Sequence, residues 1–103
     1  PATEACVAAG AWQRPGQGAV SAVEVLRQAA AQQVVLLGEA HDSAEHHRWQ
    51  LHVLAQLLAQ RPRLVIALEM LPRRVQPVLD RWVAGALSEE AFLRESNWRE
   101  VWG

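Results

Sequence analysis

The residues best suited to chemistry lie in one short run, Gly38-Glu39-Ala40-His41-Asp42, which follows an apolar segment of the chain. A second acid, Glu69, follows the next apolar segment. Two carboxylates can hold a cation or divide acid and base roles between them, and an imidazole adds a nitrogen ligand or a proton carrier near neutral pH. Glu39, His41 and Glu69 are therefore the candidate catalytic residues and the candidate ligands of a divalent metal ion. Mixed carboxylate and imidazole donors suit Zn, Mn or Fe better than Mg alone.

Two apolar segments would position these residues. Residues 34–37 (Val-Val-Leu-Leu) and 64–68 (Leu-Val-Ile-Ala-Leu) are continuous apolar runs, typical of parallel strands that are buried on both faces. Ligands of open parallel sheets bind beyond the carboxyl ends of the strands, and neighbouring strands lie about 4.8 Å apart. We therefore expect the two acids and the imidazole to converge, with Gly38 permitting a sharp exit from its strand and a close approach of a ligand to the backbone.

Helical patterns lie on either side of the first apolar segment. Ser21 and Glu24 form a capping box, which predicts a helix over about residues 21–32. Asp42 and Glu45 make a second box-like pair, and we expect the aspartate to cap the helix that follows rather than to bind a ligand.

The remaining helices are indicated by apolar spacing and by turn residues. Pro62 ends the second helix, and the apolar residues of the segment 75–83 recur with the period of a helix. Gly85 is the expected left-handed residue after that helix, and Ser88 is expected to cap a last short helix.

The order of elements is α-β-α-β-α-α, which predicts an α/β fold with alternating β-α units, parallel strands and three α/β/α layers. Two strands are too few for a stable sheet, so we expect an incomplete domain with further strands beyond Gly103 or in a second copy. Residues 1–18 are expected to form an irregular lead-in anchored by Trp12, and residues 19–103 the N-terminal part of the domain. An all-helical repacking of the apolar runs is the alternative, which their β-branched residues disfavour.

Composition excludes several functions. The net charge is −1, and the ten basic residues are scattered arginines without the basic stripe that nucleic acid requires. The single cysteine excludes an internal disulfide. No apolar stretch approaches the roughly 20 residues that span a bilayer.

Other polar residues near the expected site have two interpretations each. His46 lies in the first turn of its helix and could reach the strand ends, and the Arg73-Arg74 pair could bind an acidic group such as a propionate or a phosphate. Alternatively, Glu39 only neutralises the positive start of a helix, while His41 and the arginines are solvated surface residues.

The tryptophans are expected to serve packing. Helical spacing places Trp82 in the core. Trp98 and Trp102 are four residues apart and would cover apolar surface, with stacking on a cofactor as the alternative.

Several motifs together resemble the ChaN-like haem-binding uptake family of the Tiki superfamily, a group that is similar to erythromycin esterases and Tiki-type proteases. The Gly-Glu-x-His signature of the group is matched by Gly38, Glu39 and His41, and its glutamate after the next strand by Glu69. The wider matches are Val34-Val-Leu-Leu-Gly-Glu-Ala-His-Asp42, Ala67-Leu-Glu-Met-Leu-Pro-Arg73, Gln76-Pro-Val-Leu-Asp80, Asn97-Trp98 and Trp102-Gly103.

The resemblance implies haem as cofactor and a role in iron uptake, often as a lipoprotein of the bacterial cell envelope, in the periplasm or at the outer membrane. It implies that the partner is haem or another small molecule, and the positions of Arg73 and His46 described above make them the candidate cofactor-binding residues. Haem binding in this family is associated with a tyrosine ligand. This chain has no tyrosine, so either the ligand lies beyond Gly103 or haem is not bound in that way, and a histidine could then serve as the iron ligand.

Two other functions stay open. Hydrolase relatives use the matching Glu and His for metal-dependent or general-base chemistry, so the rival is a metal-dependent hydrolase, esterase-like or protease-like, that uses the Gly-Glu-x-His turn. The third interpretation is a chain that only associates through open sheet edges, as a homo-oligomer or with the rest of the domain.

Overall fold

The computed structural model describes residues 6–102 and combines helices with one small sheet. Residues 6–38 with 47–64 form a first compact unit, and residues 39–46 with 65–102 form a second. Within the described part of the chain, no helix has the length and apolar character needed to cross a bilayer. The elements are β1 (Trp12–Arg14), β2 (Gly18–Val20), α1 (Ala22–Ala30), α2 (Ala44–Gln60), a 3₁₀ turn (Arg73–Val75), α3 (Gln76–Val83), α4 (Glu89–Glu95) and α5 (Trp98–Trp102).

A small antiparallel hairpin replaces part of the expected irregular lead-in. Trp12 of β1 pairs with Val20 of β2, and the glycines at 16 and 18 supply the left-handed backbone of the connecting turn, with φ of 75° and 85°. The ring of Trp12 lies against that of Trp49 in α2, with centroids 6.1 Å apart. The expected anchoring of Trp12 is therefore confirmed.

Helix α1 begins at the expected cap. The hydroxyl of Ser21 accepts a hydrogen bond from the backbone N–H of Glu24 at 3.2 Å. The carboxylate of Glu24 accepts hydrogen bonds from Arg27 at 2.9 and 2.6 Å and from Gln28 at 2.8 Å. These hydrogen bonds lower the pKa of Glu24 from 4.5 to about 2, and those from Arg27 have the largest effect.

The core of the first unit forms between α1 and α2. Leu26 and Ala30 of α1 pack with Val53 and Leu57 of α2, and all four are buried. The guanidinium of Arg61 donates to the carbonyl of Ala30 at 2.6 Å, which satisfies a free carbonyl at the end of α1. Helix α2 thus meets α1 through Val53 and Leu57, whereas Leu51 and Leu58 of the same helix are 66% and 49% exposed.

The two parallel strands expected from sequence are not observed. Residues 34–37 and 64–68 have no regular secondary structure, and Val34, Leu36 and Val65 are 72%, 88% and 90% exposed. A strand needs a hydrogen-bonded neighbour, and the β-branched residues of these segments cannot create one locally. The expectation of a three-layer α/β/α arrangement is likewise not shown, and what holds is the coarser mixture of helix and sheet.

In the second unit, α3 and α4 have the ends expected from sequence. Gly85 follows α3 with a φ of 74°, and the hydroxyl of Ser88 accepts from the backbone N–H of Ala91 at 3.1 Å. Both turn predictions are confirmed. Arg81 of α3 and Glu95 of α4 form an ion pair at 3.0 Å.

A row of aromatic rings connects the last three helices, and we call it the aromatic row. Trp82 of α3 stacks on Phe92 of α4 at 4.7 Å, Phe92 lies 5.6 Å from Trp98, and Trp98 lies 5.2 Å from Trp102 in α5. Each such pair stabilises by about 0.5–1.5 kcal/mol beyond its buried area. The prediction that Trp82 lies in the core is wrong, because its side chain is 39% exposed. The ring covers Phe92 from the surface.

Acid should weaken the contribution of Glu24 to stability. A carboxylate with a lowered folded pKa stabilises above its unfolded pKa, and this stabilisation is lost as the pH falls from about 4.5 through about 2. We expect Glu24→Gln to lower the melting temperature slightly near neutral pH, because the pair is exposed, and to match the wild type near pH 2. Melts followed by circular dichroism at a series of pH values test this.

Arg27→Gln is the matched variant for Glu24→Gln. It should remove the same stabilisation, and the double variant should be no less stable than either single variant, since the two residues act as one pair. If Glu24→Gln lowered the melting temperature as much at the lowest pH as near neutral pH, the pair formed by Glu24 and Arg27 would not be the cause.

Candidate functional site

The pair formed by Glu39 and His41 is the centre of the candidate site. Nδ1 of His41 lies 3.0 Å from Oε1 of Glu39, within the turn that precedes α2. The side chain of Glu39 is only 8% exposed, whereas that of His41 is 46% exposed. The carboxylate is therefore covered by protein while the imidazole stays open to a ligand.

This hydrogen bond decides which nitrogen of His41 can react. An ionised carboxylate only accepts hydrogen bonds, so the tautomer of His41 that satisfies an ionised Glu39 is the one with the proton on Nδ1. In the neutral ring, Nε2 then holds the free lone pair, and it can bind a metal ion or take up a proton. The arrangement is the carboxylate–histidine pair that orients many metal-binding histidines.

His46 has the opposite tautomer. Its Nδ1 accepts a hydrogen bond from the backbone N–H of Ala40 at 2.9 Å, so in the neutral ring the proton sits on Nε2. His46 thus folds back onto the turn and can offer an N–H donor, whereas His41 offers an acceptor. The sequence indicated that His46 could reach this region, but not that its ring would fasten the turn.

The cap of α2 differs from the one expected. The hydroxyl of Ser43 accepts from the backbone N–H of His46 at 3.3 Å, and α2 begins at Ala44. Ser43, not Asp42, therefore occupies the capping position. Serine and aspartate cap helices about equally well, so the choice depends on where the turn ends rather than on residue type.

Trp102 reaches the same turn from the other end of the second unit. Its ring lies 6.2 Å from that of His41, centroid to centroid, and the two planes meet at 81°. The aromatic row therefore ends at the candidate site. Sequence spacing indicated packing by Trp102 but gave no sign of this neighbour, which is 61 positions away along the chain.

Glu69 and Arg73 lie in the second unit as exposed residues. Glu69 sits in the turn after residues 64–68, and Arg73 begins the 3₁₀ turn. Together, Glu39, His41 and Glu69 do not form a group of three that could hold a metal ion, nor does any other set of His, Cys, Asp and Glu among residues 6–102. The joint role of the two acids stays a prediction.

The structure brings a carboxylate and an imidazole together, and the sequence as a whole identifies the family of the chain. The chain belongs to the family described as haem-binding uptake, Tiki superfamily, ChaN, whose model matches residues 25–103. The resemblance stated from the motifs is thereby confirmed. No curated protein and no solved structure matches the chain.

The residues of the turn fit a haem group as far as its iron ligand is concerned. Haem iron is commonly held by the nitrogen of a histidine whose other nitrogen is hydrogen-bonded, and His41 meets both conditions. The nearby ring of Trp102 provides an apolar surface beside that nitrogen-bearing ring. The donor set is therefore suited to haem without a tyrosine.

Gly38 is expected to tolerate a side chain although it opens the signature. No atom lies within 4 Å of an added Cβ, and its φ is not in the left-handed region, so Gly38→Ala should leave the free energy of unfolding unchanged or raise it by up to about 1 kcal/mol. Gly85→Ala is the matched control, and its φ of +74° should make it less stable by about 1–2 kcal/mol. Urea denaturation measures both. Equal losses in the two variants would show that the turn needs the conformational freedom of glycine.

Proposed function

We propose that this protein binds haem at the turn that carries Glu39 and His41, and that it serves iron uptake. The observation that carries the proposal is the half-exposed imidazole whose Nδ1 is hydrogen-bonded by a covered carboxylate. Membership of the haem-binding uptake family supports the choice of ligand.

Each residue of the pair has its own role in this proposal. Nε2 of His41 is the iron ligand. Glu39 holds the ring in place and raises the basicity of Nε2 through the hydrogen bond to Nδ1, and it is not itself a ligand. When bound, haem supplies the iron that an uptake protein carries.

Two further residues are suited to the acidic edge of the porphyrin. Arg73 is exposed and its planar guanidinium can bind a propionate with two hydrogen bonds. His46 can donate from Nε2, because its Nδ1 is occupied by Ala40. We assign both residues to propionate binding.

The exposed apolar segments indicate how the whole domain is built. We propose that residues 34–37 and 64–68 are parallel strands of an α/β/α domain and pair with strands from the rest of the protein or from a second copy. The exposed valines and leucines of these segments support the proposed strands, because proteins rarely leave so many neighbouring apolar side chains uncovered. A location in the bacterial cell envelope, as a lipoprotein, is proposed on the uptake family alone.

A metal-dependent hydrolase is the second candidate. The same Glu39–His41 pair is suited to a general base, because Nε2 can take a proton from water while the carboxylate stabilises the charged ring. Activity towards activated esters with added Zn or Mn, lost in His41→Ala, would support it, and equal activity in that variant would exclude His41 as the base.

Haem titration followed by absorbance tests the leading proposal. The wild type should shift the Soret band at micromolar haem, and His41→Ala should lose that shift because the iron ligand is gone. Glu39→Gln should weaken binding by about 10–100-fold, since the ring loses its orienting carboxylate. Arg73→Ala should weaken binding less and leave the position of the band unchanged.

His52→Ala is the matched control for the titration. His52 is an exposed histidine of α2 in the first unit, and its loss should leave affinity and band position unchanged. Haem binding of wild-type strength in His41→Ala would overturn the assignment of the ligand. No Soret shift in the wild type would overturn the function itself.

A further inference from the structure

The contact between Trp102 and His41 connects the candidate site to three helices that contain none of its polar residues. From the half-exposed Trp82 to Trp102, the aromatic row runs through α3, α4 and α5, with steps of 4.7, 5.6 and 5.2 Å. The step of 6.2 Å to His41 extends the row into the turn. Trp102, the last ring of the row, is therefore the one that contacts the imidazole.

The hydrogen bond to Glu39 leaves His41 one rotational freedom that matters. A single bond at Nδ1 fixes one corner of the ring but not its plane, and a flip about the Cβ–Cγ bond would exchange Nδ1 with Cδ2 and break the hydrogen bond to Glu39. The side chain of His41 is 46% exposed, so nearly half of it faces water, which does not hinder such a rotation. A bulky ring at a right angle to the imidazole restricts both movements, because either would bring the two rings into collision.

Helix α5 is itself placed by an unusual residue. Asn97 has a φ of 58°, in the left-handed region that asparagine tolerates better than most residues, and it separates α4 from α5. Its side-chain amide donates to Glu100 at 3.3 Å, and its carbonyl accepts from the backbone N–H of Glu100 at 3.1 Å. This turn fixes the start of the helix whose end carries Trp102.

We propose that Trp102 is a positioning residue for His41: its ring holds the imidazole in the orientation in which Nδ1 faces Glu39 and Nε2 faces outward. The proposal rests on the function assigned to His41 only in the sense that an outward Nε2 is what a ligand needs. The tautomer itself is a property of the protein without ligand, and it can be measured there.

Nitrogen NMR of the protein with ¹⁵N-labelled histidine tests the proposal at alkaline pH, where histidines are neutral. In the wild type, His41, assigned by comparison with His41→Ala, should show one protonated nitrogen, Nδ1, and one unprotonated nitrogen, Nε2. Trp102→Leu should bring the two shifts towards each other as the ring samples both tautomers. Trp102→Phe should keep the wild-type pattern, because a ring remains at the contact.

Trp82→Leu is the matched control. It removes a ring from the same aromatic row at the end away from the turn, so it should leave the shifts of His41 unchanged. Wild-type shifts in Trp102→Leu, or equal changes in Trp82→Leu, would overturn the proposal. If Trp102→Leu does not fold, Trp102→Met takes its place. If neither folds while Trp102→Phe does, Trp102 is structural and the proposal fails.

Haem titration of the same variants separates this proposal from the proposed function. Trp102→Leu should bind haem about tenfold more weakly than the wild type, as expected when support of a ligating histidine is lost. A wild type that shows the single tautomer but binds no haem would retain Trp102 as a positioning residue and remove haem as the ligand. If the wild type binds haem but the tautomer of His41 is unchanged in Trp102→Leu, haem stays as the ligand and Trp102 is not a positioning residue.

Discussion

The hydrogen bond between Glu39 and His41 is the interaction on which the site depends. A carboxylate with 8% of its side chain exposed is stable only if donors replace the water it has lost, and Nδ1 of His41 is one such donor at 3.0 Å. The carboxylate thus requires the imidazole, and the imidazole gains a defined tautomer. Both roles proposed for Nε2, binding iron and taking up a proton, depend on this one contact.

The turn that carries the pair is short and is held by its own polar groups. The backbone N–H of Ala40 bonds to the ring of His46, and the hydroxyl of Ser43 bonds to the N–H at the third position of α2. These bonds use groups that would otherwise remain unsatisfied at the start of a helix. A histidine that reaches back from the first turn therefore contributes to the site through structure, and only its Nε2 is left for a ligand.

Two apolar segments of the chain stay largely exposed to water. Residues 34–37 and 64–68 leave Leu36 and Val65 almost fully in water, which costs about 25 cal/mol for each Å² of apolar surface that stays uncovered. The buried core between α1 and α2 reaches only Leu37 and Leu64, at one end of each segment, and the other valines, leucines and the isoleucine of the two segments stay exposed. The apolar and β-branched residues of both segments favour the strands proposed for them.

Local interactions are what the sequence determined by itself. The capping serines at 21 and 88, the left-handed glycine at 85 and the helical apolar spacing depend on residues within about four positions of one another, so pattern alone located α1 to α4. Helix α5 was not predicted. The Gly-Glu-x-His turn and the surrounding motifs also pointed to the family and to the two residues that pair. The sequence did not indicate the hairpin at residues 12–20, and it placed the cap of α2 one residue too early.

Only the tertiary structure decided which distant groups meet. Three contacts join residues that are far apart in sequence. The ring of Trp102 lies beside that of His41, the amide of Gln50 donates to the carbonyl of Leu37 at 3.1 Å, and the guanidinium of Arg61 donates to the carbonyl of Ala30. The same reason explains the missing strands, because a strand exists through its hydrogen-bonded neighbour and not through the preference of its own residues. Chain folding brings partners together or leaves them apart, and no local pattern records that outcome.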